Sequence, residues 1–81
     1  MTEKDIYKRL DRVFQEVFDD DSIHVTAKTT ADDIEDWDSL EHITLIGAVE
    51  SEFRMKFRMS EVSTMKNVGE MARIIADRAK R

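Results

Sequence analysis

Apolar positions return at helical spacing along much of this chain, and they divide it into four elements. Ile6, Leu10, Val13, Phe14, Val17 and Phe18 follow a 3.6-residue period, and Thr2 with Asp5 three positions later forms a capping pair for a first helix. A second helix opens at Asp38, whose carboxylate can accept from first-turn amides, with Glu41 completing a capping box, and it runs to about Phe53. Val62 and Met65 predict a short third helix beginning near Ser60. Val68, Met71, Ala72, Ile75 and Ala79 predict a last one, capped by Asn67 with Glu70. Arg78, Lys80 and Arg81 gather at its carboxyl end, where exposed carbonyls favour cations. No alternating run is long enough for a strand. The pattern therefore predicts an all-α fold, a small four-helix bundle with a long loop between helices 1 and 2 and a short third helix, with residues 1–81 as a single domain.

The loop, residues 19–38, has neither proline nor glycine. Loops of this length in compact domains usually carry function or structure of their own. Ile23, Val25, Ile34 and Trp37 are its expected anchors into the core, with ligand contact as the alternative role for Trp37.

The second helix has more apolar surface than one packing face needs. His42, Leu45, Ile46, Val49 and Phe53 form one arc on a helical wheel. Leu40, Ile43 and Gly47 form another, flanked by Glu41 and Glu50. That second strip is a docking surface with an acidic rim if solvent sees it, and extra core if the helix is surrounded. Ser39 stands directly before it, in the first turn, where backbone amides lack intrahelical partners and an anion on the hydroxyl would sit in the positive field of the helix start. Taken alone, a first-turn serine is an ordinary helix residue.

Composition narrows the chemistry. A chain of 81 residues makes one domain whose function must sit on its surface. The absence of cysteine excludes disulfides, thiolate metal sites and side-chain thiol nucleophiles. The longest apolar run, Leu45 to Val49, is far short of the roughly 20 residues that cross a bilayer. "MTEKDIYKRL" at the N-terminus lacks a signal-peptide stretch, so the expected compartment is cytoplasmic. The net charge of -5 conceals a strong asymmetry: residues 19–41 hold nine acids against one base, whereas residues 42–81 hold eight bases against five acids. The acidic middle repels a phosphate backbone, which argues against nucleic-acid binding, and steers toward itself partners with basic patches. A solvated acidic loop that aids solubility is the plainer alternative.

Asp38, Ser39 and Leu40, then apolar Ile43 and Leu45, a glutamate-rich end and Phe53, resemble the attachment-site helix of the acyl carrier proteins. The resemblance spans essentially the whole chain, including the long loop, the short third helix and "MKNVGEMARII" as the last helix with its lead-in. It implies that Ser39 receives a 4'-phosphopantetheine arm from coenzyme A through a magnesium-dependent phosphopantetheinyl transferase, and that the arm's thiol carries acyl groups as thioesters. Asp38 would be the acid before the serine, and Leu40, Glu41, Ile43, Gly47 and Glu50 would face the enzymes that load and accept the cargo. The chain would work as a monomer, without inserting into a membrane. With no cysteine, an acyl thioester can form only on an imported thiol. Acids beside the serine disfavour a phosphodiester, which the helix start and solvent screening offset.

The sequence departs from the family's pattern at Thr44 and Ser51, where acids are frequent, at Gly47, where methionine is common, and at Arg54, Arg58 and Met59 after the second helix. These departures point to a dedicated polyketide or other specialised pathway at least as much as to housekeeping fatty-acid synthesis. "EDWDSL" lacks the glycines usual before the serine of peptidyl carriers. An enzyme is disfavoured, because His24 and His42 have no spacing suited to a triad or metal pair. Asp36 and Asp38 lack the register of a calcium loop, so no metal site is expected. The rival from another class is an unmodified helical module docking through Leu40 and Ile43.

Overall fold

α1 (Glu3–Val17), α2 (Ser39–Phe53), α3 (Met59–Thr64) and α4 (Val68–Arg78), with a 3-10 turn at Ala31–Asp33, make up the computed structural model, which describes residues 2–79. No strand occurs among the described residues, so the fold is the expected all-α one. Lys80 and Arg81, assigned above to the end of the last helix, lie outside the described residues.

α1 packs against both α2 and α4. Ile6, Leu10, Val13 and Phe14 of α1 meet Leu45, Ile46, Val49 and Phe53 of α2 and Val68, Met71, Ala72 and Ile75 of α4 in one buried cluster. Burying each of the larger side chains contributes roughly 1.5–3 kcal/mol, so the three long helices hold the fold. α3 has no fully buried residue and leans on the cluster through Val62.

The long loop is anchored as well as spanned. The Asp11 carboxylate of α1 accepts from the Val25 N–H at 2.7 Å, and the Gln15 side chain donates to the Ile23 carbonyl at 2.8 Å. Val25 is buried, while Ile23, Ile34 and Trp37 pack against the core from its margin. Further along, the N–H groups of Val68 and Gly69 donate to the carbonyls of Thr29 and Ala27 at 2.9 and 3.0 Å, tying the loop to the start of α4. Gly69 is required there: a Cβ would stand 2.9 Å from the Ala27 oxygen. The 3-10 turn, too short to leave a hydrophobic period, is closed by a reciprocal cap between Thr30 and Asp33.

The helix caps agree with expectation at Thr2–Asp5 and only by half elsewhere. Asp38 accepts from the Glu41 N–H at 2.8 Å, but the Glu41 side chain does not complete a box. Asn67 accepts from the Glu70 N–H at 2.9 Å, yet the Glu70 carboxylate takes the N–H of Lys66, one residue before the cap. Arg78 stands in the last turn of α4, where a cation was expected, but its hydrogen bonds go elsewhere. Its guanidinium reaches back to Glu61 in α3 with two bonds of 2.5 and 2.6 Å and also donates to the Lys56 carbonyl. A bidentate carboxylate partner outcompetes a helix terminus for an arginine.

Candidate functional site

Local backbone bonds aim the start of α2 outward. Trp37 N–H donates to the Ile34 carbonyl and Asp38 N–H to the Asp36 carbonyl, both at 3.1 Å, so the chain turns tightly just before the helix. Asp38 is then in extended conformation with its carboxylate on the Glu41 amide. Ser39 follows as the first helical residue, and it is exposed.

Leu40 and Ile43 are 72% and 67% exposed. The second apolar stripe of α2 is therefore open to solvent rather than additional core, which the helical period alone left undecided. Gly47 continues it as an exposed flat spot, where a Cβ would meet nothing within 4 Å. Of the two glutamates expected along its rim, Glu41 is half-buried in the first turn. Glu50 departs from that expectation. Its side chain is 19% exposed and its carboxylate accepts from the Phe57 N–H at 2.8 Å, so it closes the loop after α2. The Lys56 ammonium lies 3.9 Å from the same carboxylate.

A cavity of about 450 Å3 opens beside Ser39, bordered by Trp37, Asp38, His42, Ser63, Lys66 and Asn67 among others. His42 sits one turn beyond Ser39 and is neutral by its bonding. Trp37 Nε1–H donates to His42 Nδ1 at 3.0 Å, which leaves the ring proton on Nε2, 3.1 Å from the Val62 carbonyl that accepts it. The two rings also stack at 5.8 Å, and Trp37 meets Phe14 edge-on at 5.3 Å. Trp37 thus packs on the core and bonds His42, and both rings also form the wall of the cavity. His42 was legible as a neighbour of Ser39 from its i+3 spacing. Lys66 was not, because nothing in the sequence connects it to a residue 27 positions away.

The site offers a hydroxyl, a polar and apolar cavity, and an exposed apolar strip. Both His42 nitrogens are engaged, by Trp37 and by the Val62 carbonyl. No cluster of three metal-ligating side chains occurs among the described residues. No helix among them is long and apolar enough to cross a membrane.

No family model matches the chain, and no curated protein matches it either. A solved structure does: the solution NMR structure of holo acyl carrier protein from Geobacter metallireducens is 42% identical to this chain. The alignment covers 88% of this chain and 82% of that one, with a TM-score of 0.82.

Proposed function

The chain belongs to the acyl carrier protein family, and from that premise we propose that it carries acyl groups as thioesters on a 4'-phosphopantetheine arm attached to Ser39. The observation that carries this reading is an exposed serine at the first position of a 15-residue helix, immediately before an exposed apolar strip. The residues present fit the arm. Ser39 offers its hydroxyl to an incoming transferase, the helix start supplies partial positive charge to an attached phosphate, and the adjacent cavity gives a flexible arm polar and apolar walls. When attached, the arm supplies a thiol, which the chain itself lacks.

The chain's own residues orient and present; they do not catalyse. Asp38 holds the first turn by its bond to the Glu41 amide, which keeps Ser39 at the helix mouth. Leu40, Ile43 and Gly47 form the flat apolar contact for visiting enzymes, with Glu41 at its edge, and the acidic segment before Ser39 draws basic partners toward it. Those partners are a phosphopantetheinyl transferase and the enzymes that load and accept the acyl group in a fatty-acid, polyketide or specialised pathway. The carrier acts as a monomer in the cytoplasm. Glu50 has no direct part in this contact, because its carboxylate is committed to the Phe57 amide.

Coexpression with a broad-specificity phosphopantetheinyl transferase tests the reading by mass. The wild-type chain is expected to gain one arm and Ser39→Ala none. A wild-type chain that stays at its unmodified mass overturns the carrier reading and leaves the exposed Leu40 and Ile43 to a plain docking module.

A further inference from the structure

An arm on Ser39 would add a phosphodiester to the most acidic part of the molecule, since residues 19–41 already hold nine acids against one base. That base, Lys28, does not border the cavity beside Ser39. The cavity's border carries one cation, Lys66, supplied by the connection between α3 and α4. We propose that Lys66 is the counter-cation of the phosphodiester at Ser39. This inference rests on the reading of Ser39 as the attachment point.

Of the polar groups on that border, Lys66 alone brings a full positive charge. His42 is neutral, with Nδ1 taken by Trp37 and its Nε2 proton by the Val62 carbonyl. The Ser63 hydroxyl donates to carbonyls of its own helix, those of Met59 and Ser60. The Asn67 side-chain oxygen caps α4. In the first turn of α2, the Glu41 amide is already taken by Asp38. Lys66 is different in kind. Its main-chain N–H is fixed by the Glu70 carboxylate at 2.9 Å, so its backbone is held at the edge of the cavity while its side chain stays exposed. Among the described residues its ammonium enters no ion pair. A lysine is suited to this position: a point charge on a flexible stem can follow a phosphate without demanding one geometry. At an exposed site the attraction is modest and is screened by salt.

The experiment uses the full chain loaded from coenzyme A by the transferase, with mass confirming the arm, in wild-type, Lys66→Arg and Lys66→Gln forms. The phosphorus-31 resonance of the phosphodiester is followed from low to high salt. In wild type and Lys66→Arg it is expected to move as salt rises. In Lys66→Gln it should sit from the outset near the wild-type high-salt position and move less. The nitrogen-15 ammonium resonance of Lys66, compared before and after loading of the wild type, gives a reading that needs no variant and is expected to shift while that of Lys28 stays. An identical phosphorus shift and salt response in wild type and Lys66→Gln, or a loading shift at Lys28 and not at Lys66, overturns the inference and leaves the attachment at Ser39 standing. Failure of the wild type to gain the arm overturns both.

Discussion

α2 begins at an exposed serine followed by Leu40 and Ile43, each with about two thirds or more of its surface in solvent, and ends at Phe53, which has none. Between these ends lie about 22 Å of helix at 1.5 Å per residue. The far end is clamped from several sides. Arg9 lies over the Phe53 ring at 4.5 Å and bonds both the side chain and the carbonyl of Glu52. The Glu50 carbonyl takes the N–H groups of Arg54 and Met55 while its carboxylate takes that of Phe57. Arg54 is held in the left-handed region, at φ 52°, a conformation that costs a residue with a Cβ roughly 1–2 kcal/mol. The near end carries one side-chain cap, from Asp38, and is tied through His42 to Trp37 and the Val62 carbonyl, while its outer face stays open. One helix thus has a buried, clamped end and an open one, and under the function proposed above the open end is where partners would dock without disturbing the core.

The largest expected effect falls at the clamped end. Phe53→Ala removes a fully buried ring at the centre of the cluster and the surface on which Arg9 rests, and should lower stability by about 3–5 kcal/mol in denaturant unfolding. Glu50→Ala leaves the half-buried Phe57 amide without its acceptor and should cost about 1–2 kcal/mol. If Glu50 instead belonged to the docking rim, the same variant would spare stability and slow arm loading.

A smaller effect is tied to pH. Bonds from the Arg78 guanidinium, and next from the Arg58 N–H, lower the Glu61 carboxyl from an ordinary 4.5 to about 2. A lowered carboxyl stabilises the fold fully above the unfolded value and loses that contribution as pH falls from about 4.5 toward about 2. Glu61→Gln should therefore flatten the acid limb of a stability profile in that window and leave its neutral limb parallel to wild type. An unchanged acid limb would show that Arg78 and Glu61 do not hold α3 to α4.

The smallest stability effect belongs to the open end. Leu40→Ser and Ile43→Ser should each change stability by no more than about 0.5 kcal/mol, yet slow arm loading or acyl transfer, the quantity to measure beside the unfolding curve. A large loss of stability in either would place the strip in the core and undo the contrast between the two ends.

Much of this was legible along the chain. The apolar period, with Thr2, Asp38 and Asn67 marking the starts, places α1, α2 and α4 to within a residue, because a 3.6-residue repeat is buried on one side and the caps fix where it begins. It also isolates Ser39, Leu40 and Ile43, since they fall off the packing arc of α2. Caps were read less well. The acceptor halves at Asp38 and Asn67 follow from local geometry, whereas Glu41, Glu70 and Arg78 are long side chains whose partners are chosen by whatever the fold brings near.

The sequence by itself determined an all-helical carrier-like chain with its acids gathered before a serine at a helix start, because periodicity, charge and caps are properties of neighbours along the chain. Only the tertiary structure decided that the strip beside Ser39 faces solvent, that Glu50 closes a loop, and that Trp37, His42 and Lys66 share one cavity with the serine. Each of these depends on which helix lies against which. Exposure is a relation between elements, and no residue carries it alone.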